Sequence, residues 1–202
     1  TRGLLEMSEG NWHSAERRLV RFADRSEVPC DDPIDETCRR LANGRIVAVK
    51  GLGGFHLACR ADSEAAVGRL RERKQRLGKP FAVMVRDTES ASELVELDSE
   101  AMALMRSPRS PIVLAPRRRP SAIAGGVAPG LNDLGVMIPT TPLHVELFRD
   151  PELPPLVMTS GNLSEEPLCR GNREAVERLR GIADFFVLHD RDIVRRVDDS
   201  VV

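Results

Sequence analysis

Ile46-Val47-Ala48-Val49-Lys50-Gly51-Leu52-Gly53-Gly54-Phe55-His56-Leu57-Ala58-Cys59 decides how this chain reads. Its first four residues are apolar and mostly β-branched, the mark of a buried strand. The glycines that follow let a backbone come close to whatever faces it. Phe55 to Cys59 reads as a second short strand. Upstream, Asp32-Pro33 has the form of an N-cap followed by proline at the first helical position. Ile34, Cys38 and Leu41 fall at helical spacing, and Gly44 closes that helix. Downstream, Asp62 or Ser63 caps an amphipathic helix carrying Ala66, Val67 and Leu70.

The alternation continues along the chain. Strands are predicted at Phe81 to Val85, Ile112 to Leu114, Leu134 to Ile138, Leu156 to Thr159 and Phe185 to Leu188. Helices are predicted at Glu89 to Leu97, Glu100 to Arg106, Leu143 to Phe148 and Glu174 to Arg180. Arg117 to Asp133 is a loop rich in Gly, Pro and Arg. Strands that alternate with helices, many of them wholly apolar, predict an α/β fold whose sheet is largely covered. Residues 1–31 read as an N-terminal arm of unknown role, in which Arg17 to Phe22 forms either a short strand or a poorly ordered segment. Residues 32–202 read as one domain.

Composition limits the function classes. A chain of 202 residues, 41% hydrophobic and 30% charged, can bury a real core. It has no Tyr, one Trp and six Phe, too few for the stacking platforms of single-strand nucleic-acid binders. The formal net charge of −1 argues against a polyanionic partner at the global level, although local patches can hide within it. The apolar runs are too short for a membrane span, and the first residues show no signal-peptide pattern. Cys30, Cys38, Cys59 and Cys169 form no CxxC pair, so reduced thiols in a cytoplasmic protein are expected. A start on Thr1 fits a piece of something longer.

Three segments carry chemistry. Lys50-Gly51-Leu52-Gly53-Gly54-Phe55-His56 follows a buried strand, but it has neither the P-loop nor the dinucleotide spacing, so a ligand loop and a structural turn both fit. Between Arg69 and Lys79, six of eleven residues are basic: Arg69, Arg71, Arg73, Lys74, Arg76 and Lys79. A solvated helix face is one reading. The other is an anion site, because the run leaves the helix for a loop at a strand mouth. Thr159-Ser160-Gly161-Asn162 ends an apolar strand. Hydroxyls and an amide at that end suit phosphate oxygens or water on Mg²⁺, or else cap a turn.

Taken together these segments resemble the YrdC-like family, whose KxR signature falls on Lys74 and Arg76 and whose SxN signature falls on Ser160 and Asn162. The words Val49 to Cys59 (VKGLGGFHLAC), Arg73 to Met84, Thr141 to His144 (TPLH), Thr159 to Pro167 (TSGNLSEEP) and His189 to Val201 look like the YrdC-like domain of HypF-type carbamoyltransferases of [NiFe]-hydrogenase maturation. The resemblance implies an open, twisted, mixed sheet flanked by helices, with a concave basic ligand cleft. It implies ATP-dependent activation of carbamate, itself derived from carbamoyl phosphate, to carbamoyl-adenylate with release of pyrophosphate. A HypE-like protein would then be the acceptor.

In that reading Lys74 and Arg76 are the catalytic cations and Lys79 supports them. Ser160 and Asn162 hold the phosphate side, with Mg²⁺ possible at Ser160. Lys50, Gly53, Gly54, Phe55, Thr141, Arg195 and Arg196 line the cavity. Two departures from the family pattern are Arg60, where an acidic residue is usual, and Leu77, where proline is usual. The first would bear on the carbamate end of the pocket.

Alternatives are threonylcarbamoyl-AMP synthesis for tRNA modification, an antibiotic O-carbamoyltransferase domain, and a double-stranded RNA-binding module on the Arg69–Lys79 face. His56, His144 and His189 fit either ligand polarisation or ordinary hydrogen bonding. Asp198 and Asp199 fit either a metal or a turn. Arg117 to Arg119 read as a solvated loop or a contact to a neighbouring domain. Cys59 and Cys169 read as buried small residues.

Overall fold

The computed structural model describes the backbone of residues 17–21, and residues 26–76, 78–163 and 166–202 in full. The remainder of the N-terminal arm, Leu77, and Ser164 and Glu165 of the TSGNLSEEP word lie outside the described residues.

Eight strands form one mixed sheet: β1 (Arg17–Arg21), β2 (Val47–Lys50), β3 (Phe55–Arg60), β4 (Ala82–Met84), β5 (Val113–Pro116), β6 (Asp133–Met137), β7 (Leu156–Ser160) and β8 (Phe185–His189). Their spatial order is β1-β8-β2-β3-β7-β4-β6-β5. The β2–β8 and β4–β6 pairs are parallel, and the other neighbours are antiparallel. Part of the N-terminal arm therefore belongs to the sheet, because β1 runs antiparallel along the outer edge of β8.

The helices are α1 (Pro33–Ala42), α2 (Glu64–Lys74), α3 (Thr88–Leu94), α4 (Ser99–Met105), α5 (Pro142–Leu147) and α6 (Asn172–Arg178). Their starts follow the expected chemistry. The carboxylates of Asp32, Asp87 and Asp98 and the hydroxyl of Ser63 each accept a backbone N–H of the first turn. The helix predicted to run to Leu97 stops at Leu94, because Val95 leaves the helix to bridge Arg117. A short 3₁₀ turn, Gly125–Val127, lies in the segment read as loop.

Strand pleating sorts the apolar residues into two cores. Ile46, Ala48, Phe55, Leu57 and Cys59 face one side, where α2, α3, α4 and α6 contribute Val67, Leu70, Ala91, Met105 and Ala175. Val47, Val49, Ala58 and Met158 face the other, where α1 and α5 contribute Ile34, Leu41, Leu143 and Leu147. Each fully buried Leu, Ile or Phe stabilises the fold by roughly 1.5–3 kcal/mol. The four cysteines are unpaired. Burial raises the Cys59 and Cys169 thiols to about 12 and about 11, which suits packing and not nucleophilic attack. Among the described residues no helix is long and apolar enough to cross a membrane.

Two tertiary crossings frame one end of the sheet. The loop after β7 is sewn to the start of β3: the N–H of Gly161 donates to the Phe55 carbonyl at 2.6 Å, and the N–H of Phe55 donates to Cys169 at 2.8 Å. Further on, the C-terminal segment crosses the sheet end. Its Val197 N–H donates to the Gly53 carbonyl, and its last residues exchange hydrogen bonds with Ile112 and Leu114 beside β5.

Gly161 tests the first crossing, because a Cβ there would lie 2.4 Å from the Phe55 carbonyl oxygen. Gly161→Ala is expected to lower unfolding free energy by about 2–3 kcal/mol. A shift of the urea midpoint without a change in slope would show it.

Candidate functional site

The site is built where the end of α2 meets the end of β7. Along α2 the buried positions are Ala66, Val67, Leu70, Arg71 and Lys74. They recur at helical spacing, so the inward face of the helix ends in two cations. Gln75 then closes the helix in the left-handed region at φ +54°, which turns the chain sharply into the loop carrying Arg76 and Lys79.

Lys74 is 2% exposed. Its ammonium donates to the Ser160 carbonyl at 2.7 Å, the Asn162 carbonyl at 2.8 Å and Asn162 Oδ1 at 2.9 Å. The Ser160 hydroxyl donates to the same Oδ1 at 2.7 Å, and Asn162 Nδ2 donates to the Glu166 carbonyl at 2.6 Å. Residues 86 and 88 positions away in sequence thus converge on one cation. Burial, with the neighbouring Arg76 charge second, pulls the Lys74 ammonium down to about 8.

Arg76 is half-buried, and burial lowers its pKa. It donates to the Pro80 carbonyl at 2.9 Å. Lys79 is exposed.

The basic stretch is not one solvated face. Arg69 donates to the Gly44 carbonyl at 2.6 Å. Arg73 reaches the Ile182 carbonyl at 2.9 Å and pairs with Asp184 at 2.8 Å. Arg71, 8% exposed, donates to the carbonyls of Gly126, Val127, Arg76 and Lys79, with its guanidinium 4.4 Å from the centre of the Phe81 ring. One planar fork therefore sets the shape of the loop that carries Arg76 and Lys79. Sequence reasoning counted Arg71 as one of six cations belonging to either a solvated helix face or an anion site. The signal that could have singled it out is its place at helical spacing from Val67 and Lys74.

The remaining candidates divide. Lys50 is buried and donates to the His189 carbonyl at 2.9 Å, and burial lowers its pKa. It is tied to the end of β8. Gly53 and Gly54 form a turn packed from without: a Cβ on Gly53 would lie 2.4 Å from the Val197 carbonyl, and one on Gly54 would lie 2.9 Å from Leu168 Cβ. Arg196 donates to the Leu168 carbonyl at 2.7 Å and stands 3.5 Å from Glu174. Arg195 is exposed. Thr141 is the N-cap of α5, accepting the His144 N–H at 3.2 Å. Arg60 is remote from His56, four residues or about 13 Å along β3. Its guanidinium pairs with Asp62 at 2.7 Å and reaches the Ala42 carbonyl.

Two histidines missing from the expected cavity lining gather beside this site. His56 is the register partner of Ser160 across the β3–β7 ladder. Its Nε2 is 3.2 Å from Asp199 Oδ2, and its ring centre is 5.5 Å from that of His144. A separate hollow of about 450 Å³, lined by Glu36, Arg39, Arg40, Asn43 and Arg45, opens by α1. It contains none of these groups.

The fold and the site define an α/β domain with a buried lysine held between a helix end and a strand end. The chain belongs to the Sua5/YciO/YrdC family, whose model, described as telomere recombination, matches residues 39–202. It is 52% identical over 187 residues to the carbamoyltransferase HypF2 of Cupriavidus necator, covering 85% of this chain and 23% of that protein. It is 50% identical to the carbamoyltransferase HypF of Rhodobacter capsulatus, covering 92% of this chain and 24% of that one. The chain thus spans about a quarter of the length of these relatives.

Among solved structures, full-length HypF in its phosphate- and nucleotide-bound form superposes with a TM-score of 0.85 at 46% identity, over 93% of this chain and 24% of that one. Sua5 of P. abyssi complexed with L-threonine shares the fold, with a TM-score of 0.72 at 22% identity over 83% of this chain and 49% of that one.

The burial of Lys74 has a pH signature. A lysine whose folded value of about 8 lies below its unfolded value weakens the fold wherever it must carry its proton. That penalty is full below the folded value and disappears as pH rises to the ordinary lysine range. The stability of wild type relative to Lys74→Met should therefore be flat below pH 8. It should then rise, by at most about 1.4 kcal/mol per pH unit, up to about pH 10. Urea denaturation of both proteins across that range measures it.

Proposed function

We propose that this chain activates carbamate on ATP, as the adenylate-forming part of a HypF-type carbamoyltransferase. The observation that carries the reading is the convergence of Lys74 with Ser160 and Asn162 at the end of β7. It occurs in a chain about half identical to a segment of named carbamoyltransferases.

The chemistry fits the groups. A carbamate oxygen attacks the α-phosphorus of ATP and forms the new O–P bond. The bond to the β-phosphate oxygen breaks, and pyrophosphate leaves with that electron pair. Carbamate is already an anion, so no base is required. The obstacle is repulsion between two anions, which fixed cations offset. Lys74 and Arg76 supply that charge near the strand end, and exposed Lys79 extends it toward the departing phosphates. The Ser160 hydroxyl and the Asn162 amide orient the phosphate side. Arg71 holds the loop in shape and touches no substrate.

Mg²⁺ would arrive bound to the triphosphate. Near Lys74 the donors are hydroxyl, amide and carbonyl oxygens, and among the described residues no cluster of His, Cys, Asp and Glu forms a protein cage for a metal. That set fits an ion held by phosphates and water, touched at most by Ser160. When present the ion neutralises phosphate charge.

The carbamoyl group would pass to a HypE-like protein, in hydrogenase maturation, through parts of the relatives that this chain does not span. The RNA-binding alternative draws little support, since most guanidiniums of the basic stretch are turned to backbone carbonyls.

Calorimetric titration of ATP with Mg²⁺ should show binding that Lys74→Ala/Arg76→Ala weakens by at least about 10-fold, the loss of one or two charge-assisted contacts. Pyrophosphate release should require carbamate and not threonine. Wild-type binding unchanged in the double variant, or release that depends on threonine, would contradict the reading.

A further inference from the structure

His144 is 0% exposed, and neither of its ring nitrogens has a hydrogen-bond partner among the described residues. The buried Nδ1 of His56 is also unpartnered there. A buried polar atom left unpaired costs about 1–3 kcal/mol, so such atoms in a folded protein call for a ligand or water. They lie at a particular place. His56 and Ser160 are ladder partners, so their side chains leave the same face of the sheet with Cβ atoms roughly 4.5–5.5 Å apart. His144 sits in the first turn of α5, just after Thr141, and its ring centre is 5.5 Å from that of His56. Asp199 closes the group from the C-terminal segment, 3.2 Å from His56.

The chemistry of this cluster is selective. His144 is neutral near pH 7, because burial, with His56 second, pulls it down to about 3. The neutral ring of His144 offers one acceptor nitrogen and one donor. The carboxylate of Asp199, held low chiefly by its hydrogen bond with His56, offers acceptors only. Acceptors without a firm cation suit an NH₂ group and repel a second carboxylate.

We propose that His56, His144 and Asp199 form the subsite that takes the amino end of carbamate and discriminates against N-carboxylated amino acids. The inference rests on the carbamate-activating reading above. The carboxylate end of the substrate lies toward Ser160 and Lys74. The two N–H bonds of the amino end meet Asp199 and a ring nitrogen of His144. An N-carboxylated amino acid would bring its own carboxylate against Asp199. These are positioning residues, and the attack on phosphorus does not pass through them.

The test uses the full chain with ATP, Mg²⁺ and ammonium bicarbonate solution, which holds carbamate at equilibrium, against threonine with bicarbonate. Two variants are compared with wild type. His144→Phe removes both ring nitrogens while keeping much of the volume. Asp199→Asn, on an exposed segment, leaves the core intact. The expected result is an ATP dissociation constant within about 2-fold of wild type and a KM for carbamate raised at least about 10-fold, the loss of a single well-placed hydrogen bond to a charged or buried group. In Asp199→Asn the preference for carbamate over threonine with bicarbonate should also fall.

If His144→Phe does not fold, Asp199→Asn decides alone. A wild type that binds ATP and turns over carbamate, with variants of unchanged carbamate KM, overturns the subsite and leaves the parent reading standing. A wild type that binds ATP but releases no pyrophosphate with carbamate removes the parent reading and this proposal with it.

Discussion

A single ammonium group organises the end of the sheet. Lys74 is carried inward by the same helical face that buries Val67 and Leu70, and oxygens of Ser160 and Asn162 at the β7 end meet it there. Burying an ammonium without such partners would cost several kcal/mol. The site therefore requires α2 to pack at one depth and β7 to end at one residue. Gly161 secures the second condition, since only a residue without Cβ lets the loop after β7 lie against Phe55. Arg71 secures the loop that follows the first.

The proposed function places an anionic ligand beside this ammonium. Lys74 already carries a suppressed pKa, and an incoming phosphate would relieve that suppression by pairing with the charge. The fold thus holds a buried, hydrogen-bonded cation at a strand mouth, next to a half-buried arginine. Cations held in place beforehand would serve the proposed adenylate formation, in which two anions must meet.

Much of this was legible in the sequence. Ile46 to Val49 and Leu156 to Met158 announced buried strands, Asp32-Pro33 announced a helix start, and the family words assigned Lys74, Ser160 and Asn162 to one expected ligand site. What local patterns could not show was contact over long sequence separations. Gly53 and Gly54 fitted a ligand loop or a structural turn, and the residues that pack against them, Val197 and Leu168, lie more than a hundred residues downstream. The carboxylate of Asp199 reaches His56 over 143 residues. Arg71 looked like one cation among six because its carbonyl partners Gly126 and Val127 lie more than fifty residues downstream. Arg17–Arg21 became a strand only through its partner β8.

The measurement that bears most directly on the account is the backbone amide spectrum of the ¹⁵N-labelled chain during titration with ATP and Mg²⁺. The account predicts that the amides of Lys74, Arg76, Ser160, Gly161 and Asn162 shift together and saturate with one dissociation constant. Shifts confined to the hollow beside α1, at Arg39, Arg40, Asn43 and Arg45, with the β7 end unmoved, would contradict it.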